Sequence, residues 1–123
     1  MEQVAAYHFF RENEQKIMDA ALKAVLKAVT KLKRDGYFED SDEPAPKIET
    51  VADLKRNIEL LAIHVFDYAK SRHGYIGMNF LCTWDEEHDL GLVVHKSRVV
   101  TVGQADTSSD HYATKRDGGK KIR

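Results

Sequence analysis

The chain has 123 residues, 42% hydrophobic and 32% charged, which suits one globular domain that buries a core without metal or disulfide support. A formal net charge of −1 argues against electrostatic capture of nucleic acid, which needs a basic face. One cysteine excludes an internal disulfide and a cysteine-rich zinc site; no apolar run nears the roughly 18 residues that span a bilayer and no signal-peptide pattern opens the chain, so a cytoplasmic protein with no membrane contact is expected.

Residues 9–34 read as one long helix. Met18, Leu22, Val25, Val29 and Leu32 recur at steps of four and three and share a face. Lys23, Lys27, Lys31, Lys33 and Arg34 keep the other side wet and suit the helix C-terminus, and Gly36 stands where a capping glycine belongs. Residues 37–49 form a connector with Pro44, Pro46 and an acidic run at 39–43. Residues 50–58 read as a short helix, with Thr50 as N-cap and Asp53 three places on in a capping-box position. From Leu60 the period changes to two: Leu61, Ile63 and Val65 point one way, Leu60, Ala62, His64, Phe66 and Tyr68 the other.

Residues 71–74 make a turn in which Gly74 is free to take a positive φ. A second strand covers 75–84, an acidic turn 85–91, a third strand 92–95 and a fourth 98–102, giving an antiparallel meander. Residues 1–107 are expected to form a single α+β domain, with the long and short helices on one face of a sheet of about four strands. Its core would hold Met18, Leu22, Val25, Val29, Leu32, Leu54, Ile63, Val65, Ile76, Met78, Phe80, Val93 and Val100. Residues 108–123 are polar, carry paired glycines and end basic, and read as a flexible tail.

The densest charge cluster, Asp85, Glu86, Glu87, His88 and Asp89, follows the only tryptophan, Trp84. Asp85, His88 and Asp106 offer hard oxygen and imidazole ligands that a turn and two strand ends could gather around a metal. Neither a His-Glu-x-x-His helix nor a twelve-residue calcium loop is present, so the plainer reading is a solvated turn with no cofactor. Asp85 or Glu87 with His88 or His95 could serve as acid and base, but no nucleophile elbow or phosphate loop accompanies them. Cys82 alternates with Met78 and Phe80, which favours packing over reactivity. Trp84 either caps the core at a strand end or anchors a partner contact.

The run Cys-Thr-Trp-Asp-Glu-Glu-His-Asp-Leu-Gly-Leu from Cys82, followed by His-Lys-Ser-Arg-Val-Val-Thr-Val-Gly-Gln-Ala-Asp-Thr from His95, resembles the motif of a bacterial family of domains of unknown function. The likeness is close over residues 75–107 and looser over 51–66. The chain departs from it at Asp89, where the family usually has glycine, and at Gln104, where it usually has the second glycine of a pair. Aspartate tolerates a left-handed turn; glutamine would be strained if a positive φ were required. Some members resemble small immunity proteins encoded beside secreted toxins. The resemblance therefore implies a protein-binding domain without catalysis, neutralising a toxin through Trp84, Asp85, Glu86, Glu87, His88 and Asp89. Acidic patches at 39–43 and 85–89 would complement a basic toxin cleft. The alternative is a metal-dependent or acid–base hydrolase using Asp85, Glu87, His88 and Asp106.

Overall fold

The computed structural model describes residues 2–36, 38, 47–85 and 88–122. Helices α1 (Glu2–Glu12), α2 (Glu14–Arg34) and α3 (Val51–Lys55) lead into strands β1 (Ile58–Lys70), β2 (His73–Cys82), β3 (Leu90–His95) and β4 (Arg98–Gly103). A short 3-10 helix (Ala105–Ser109), α4 (His111–Arg116) and β5 (Lys120–Lys121) follow. The sheet order is β4-β3-β2-β1-β5 with every neighbour antiparallel, so the fold is α+β with five strands among the described residues. None of its helices there is long and apolar enough to cross a membrane. The acidic run at 39–43 and its two prolines lie outside the described residues.

The stripe read from the sequence seats α2, which buries Ile17, Ala21, Leu22, Val25 and Val29. The helix is not one piece starting at Phe9, however. It begins at Glu2 and breaks at Asn13, whose backbone (φ −123°, ψ 23°) leaves the helical region while its side-chain amide donates to the Phe9 carbonyl at 3.0 Å. A side chain that bonds the preceding turn competes with the backbone ladder. The break turns Ala6 and Phe10 of α1 onto β2. Gly74 makes that approach possible, since a Cβ there would stand 3.2 Å from the Glu2 carbonyl oxygen and 3.3 Å from Ala6 Cβ. Gly74 therefore eases a close approach. The positive φ values of this hairpin fall on Ser71 (54°) and Arg72 (67°), which sit between the two strands.

The capping box forms as expected: Thr50 Oγ1 accepts from the Asp53 N–H and Asp53 Oδ2 from the Thr50 N–H, each at 3.1 Å. α3 stops at Lys55, because Ile58 already pairs with Cys82 in β1.

Side chains pack on both faces of the sheet. On the helix face Ile76, Met78, Phe80, Cys82, Leu90, Leu92 and Val94 meet Phe10, Ile17, Leu22, Val25, Val29 and Leu54, with Met18 and Val65 half-buried against them. On the opposite face Phe66, Tyr75 and Val93 are buried, with Tyr68 and Val100 beside them. Leu32 is half-buried. Ile63, expected in the core, is 40% exposed. It pairs with Met78 on the helix face, but β1 is the outer strand at that point. A register shift between Leu60 and Ala62 also reverses the expected alternation, so that Leu60, paired with Phe80, shares the face of Ile63.

The stretch beyond residue 107, read as a flexible tail, is folded against that second face. Ala113 and Thr114 of α4 are buried, and β5 pairs with Tyr68 and Ala69. Its paired glycines serve close approach: a Cβ on Gly119 would lie 2.7 Å from both Tyr75 Cε2 and the Thr114 carbonyl oxygen. Polarity hid this, because the segment is anchored by Asp117 and glycine spacing more than by apolar side chains.

Candidate functional site

Three glycines set the geometry around the acidic turn. Gly91 and Gly103 pair across β3 and β4, and Gly77 of β2 lies on the same face. The 3-10 helix rests on them so closely that a Cβ would overlap the Ser108 carbonyl oxygen at Gly77, the Gln104 carbonyl oxygen at Gly91 and Thr107 Oγ1 at Gly103. The Gly-Gln-Ala-Asp-Thr signature is thus a packing device that lays the chain back over the sheet. Gln104 itself is extended (φ −77°, ψ 175°), so it carries no strain.

Between β2 and β3, Asp85 organises the turn. Its Oδ1 lies 2.9 Å from His88 Nδ1 and accepts the His88 N–H at 3.3 Å, and its carbonyl accepts the Asp89 N–H at 2.8 Å. Gln104 Nε2 reaches across from beyond β4 to Asp85 Oδ2 at 3.4 Å, and the His88 carbonyl accepts the Ala105 N–H at 2.9 Å. Asp89 takes the left-handed conformation (φ 55°) that glycine would take more freely. Glu86 and Glu87 lie outside the described residues.

The turn, the C-terminal half of α2 and the end of β4 enclose a cleft of about 270 Å³. Its apolar lining includes Val25, Val29, Leu32, Trp84, Leu90 and Val102; its polar rim holds Lys31, Asp85, Asp89 and Gln104. Trp84 is half-buried and packs against the helix-side core while forming one wall. Asp89 Oδ1 is buried with no hydrogen-bond partner among the described residues, a condition shared by one oxygen each of Asp67 and Asn79.

The structure separates the other candidates. Among the described residues no three His, Cys, Asp or Glu side chains converge on a metal position, so Asp106, exposed in the 3-10 helix, does not complete a ligand set with Asp85 and His88. Cys82 is buried with Sγ 3.7 Å from the Asp85 carbonyl oxygen, and burial pushes its thiol up to about 11, which makes it a poor nucleophile. His95 stands at the other end of β3 from the turn, with Nε2 2.6 Å from the Lys70 carbonyl oxygen. Burial lowers its pKa. It cannot assist Asp85.

That far end carries the densest polar network, which sequence reasoning missed. The hydroxyl of fully buried Tyr75 donates to Asp117 Oδ2 at 2.9 Å, and Arg98 grips both carboxylate oxygens of Asp117 at 3.0 and 2.5 Å. Lys70 Nζ donates to the Asp117 carbonyl at 3.0 Å, and the Tyr75 and His95 rings lie 4.8 Å apart. The Arg98 hydrogen bonds hold the Asp117 carboxyl below its usual range. The only hint in the sequence was His95 and Arg98 within one motif; nothing marked Asp117 as their partner. With Tyr75 sealed, the arrangement fastens the C-terminal segment to the sheet.

Comparison with known proteins finds no match among curated proteins and none among solved structures. A family model does match, over residues 1–109, spanning α1–α3, β1–β4, the acidic turn and the glycines beneath the 3-10 helix. The chain belongs to DUF6985, a family of domains of unknown function.

Proposed function

We propose that this domain binds another protein, seating a basic side chain of that partner in the cleft beside the acidic turn. The observation that carries the reading is the cleft itself, whose apolar walls meet the Asp89 side chain beside the acidic turn. A cationic side chain entering the cleft would meet a carboxylate there, and charge-assisted contacts are the stronger kind. The walls, Trp84 among them, suit the hydrocarbon stem of a lysine or arginine. Asp85 adds a second carboxylate, while Glu86 and Glu87 extend the same acidic stretch in sequence. A toxin domain with a basic cleft is the partner class that the motif resemblance supports, in which case the domain acts by occlusion without chemistry of its own.

The test is affinity capture from the native host, read by mass spectrometry, with wild type beside Asp89→Asn. Asparagine accepts the left-handed backbone and keeps the shape, so the variant removes the charge alone. The expected result is one basic protein retained by wild type and bound about tenfold more weakly by the variant, in line with the loss of a charge-assisted hydrogen bond. A partner held equally by both proteins would move the contact away from this cleft. Recovery of no partner would remove the support for a binding role.

A further inference from the structure

Among the described residues, the β1 edge of the sheet is open over most of its length. β1 runs thirteen residues, but among the described residues the only strand on its outer side is β5, which takes Tyr68 and Ala69; the Asp67 carbonyl accepts the Ile122 N–H at 2.7 Å. Among the described residues, 58–66 have no strand on their outer side. Leu60 is 38% exposed, Leu61 51% and Ile63 40%, and Leu81 on the neighbouring strand 41%. Free edges are ordinarily blunted by lysine, proline or short length. This one has a single formally charged residue, Glu59, with an imidazole at His64.

The pattern along this edge is self-complementary. Ile58, Leu60, Ile63 and Val65 pair with Cys82, Phe80, Met78 and Ile76, and so share the helix face. Glu59, Ala62 and His64 pair with Leu81, Asn79 and Gly77 on the other face, and Leu61 is the extra residue at the register shift. Consider two copies of β1 set antiparallel about a two-fold axis at the Leu61–Ala62 step. Leu60 then meets Ile63 of the second copy, and Glu59 meets its His64, each contact occurring twice. In an unbroken strand such a register would oppose residues from different faces. The shift at Leu61 reverses the alternation once, so here like faces meet. The carboxylate of Glu59 faces an imidazole N–H donor, and the His64 ring is held edge-on to Phe66 with centroids 4.7 Å apart.

We propose that the outer edge of β1, residues 58–65, pairs with the same edge of a second copy, joining two sheets into one through Glu59–His64 and Leu60–Ile63 contacts. The cleft beside the acidic turn lies near β4, at the other edge of the sheet, so both clefts stay open in such a dimer and two partners can bind at once.

The experiment is sedimentation equilibrium of the full chain over a concentration series from 1 µM to 1 mM, with circular dichroism to confirm folding. The expected mass for wild type is twice the 14.0 kDa of the chain. Leu61→Lys should give a monomer, and Glu59→Lys should weaken association about tenfold, as the two carboxylates that accept from the imidazole N–H groups are lost. Glu59→Lys combined with His64→Glu sets opposite charges across the seam and should restore the dimer, a rescue that a merely structural effect would not produce. A wild-type monomer at every concentration would overturn the proposal. A dimer indifferent to Leu61→Lys would overturn the edge as its seat, and a dimer lost in Glu59→Lys but not regained in the double variant would overturn the register.

Discussion

Asp89 joins a left-handed backbone to a buried acceptor without a donor among the described residues, and either alone would favour another residue. Asp89→Gly, which installs the residue usual in the resembling motif, should stabilise the free domain by about 1 kcal/mol. Relief of the stranded oxygen outweighs the extra freedom that glycine gives the unfolded chain. A urea midpoint that stays level or falls would refute this. The glycines beneath the 3-10 helix make the opposite case. At Gly77 a methyl group would overlap the Ser108 carbonyl, and a backbone atom cannot swing aside as a side-chain tip can. Gly77→Ala should therefore cost about 2–3 kcal/mol, the range for overpacked sites, and speed amide exchange in residues 105–109. Equal protection there in both proteins would show that the 3-10 helix does not depend on this contact.

Among the elements, α4 and β5 hang on one side chain. Asp117→Ala would leave the Tyr75 hydroxyl buried without an acceptor and release Arg98, at a cost of about 2 kcal/mol. Loss of amide protection should concentrate in residues 111–121; a loss spread evenly over the sheet would contradict the assignment. That segment was illegible in the sequence because its anchors are long-range and polar, whereas sequence periodicity reports local and apolar order. The meander and the α2 stripe were legible for the converse reason, as was the capping box, each being set by residues a few positions apart. Asn13 and Leu61 escaped notice because one competing hydrogen bond or one extra residue leaves no mark on a hydrophobic pattern. The site divides the same way. Trp84, Asp85 and Asp89 stood out as a cluster, but the cleft needs Val25, Val29 and Leu32 from α2, and only the folded chain brings that helix over the turn.

For the molecule as a whole, stability should follow pH in two stages with different owners. His95 is buried and its folded pKa is lowered, chiefly by burial, although the Lys70 carbonyl favours its N–H and the Asp117 charge works in the same direction. The unfolded imidazole titrates near pH 6.5, so as pH falls below that value the unfolded chain takes up a proton first and stability declines until the folded pKa is passed. Asp117 acts at lower pH. Its folded pKa is held down mainly by Arg98, so its contribution is complete above the ordinary carboxylate value near 4 and is lost as pH falls through the lowered one. Urea midpoints measured from pH 8 to pH 3 should hold level down to about pH 6.5, fall in a first step, then fall again in acid. His95→Gln should flatten the first step while keeping the second, and Asp117→Asn the second while keeping the first. The two replacements separate the contributions because the groups titrate in different windows. A first step of equal depth in His95→Gln would assign it to another histidine. It would also detach the pH response from the network that fastens the C-terminal segment to the sheet.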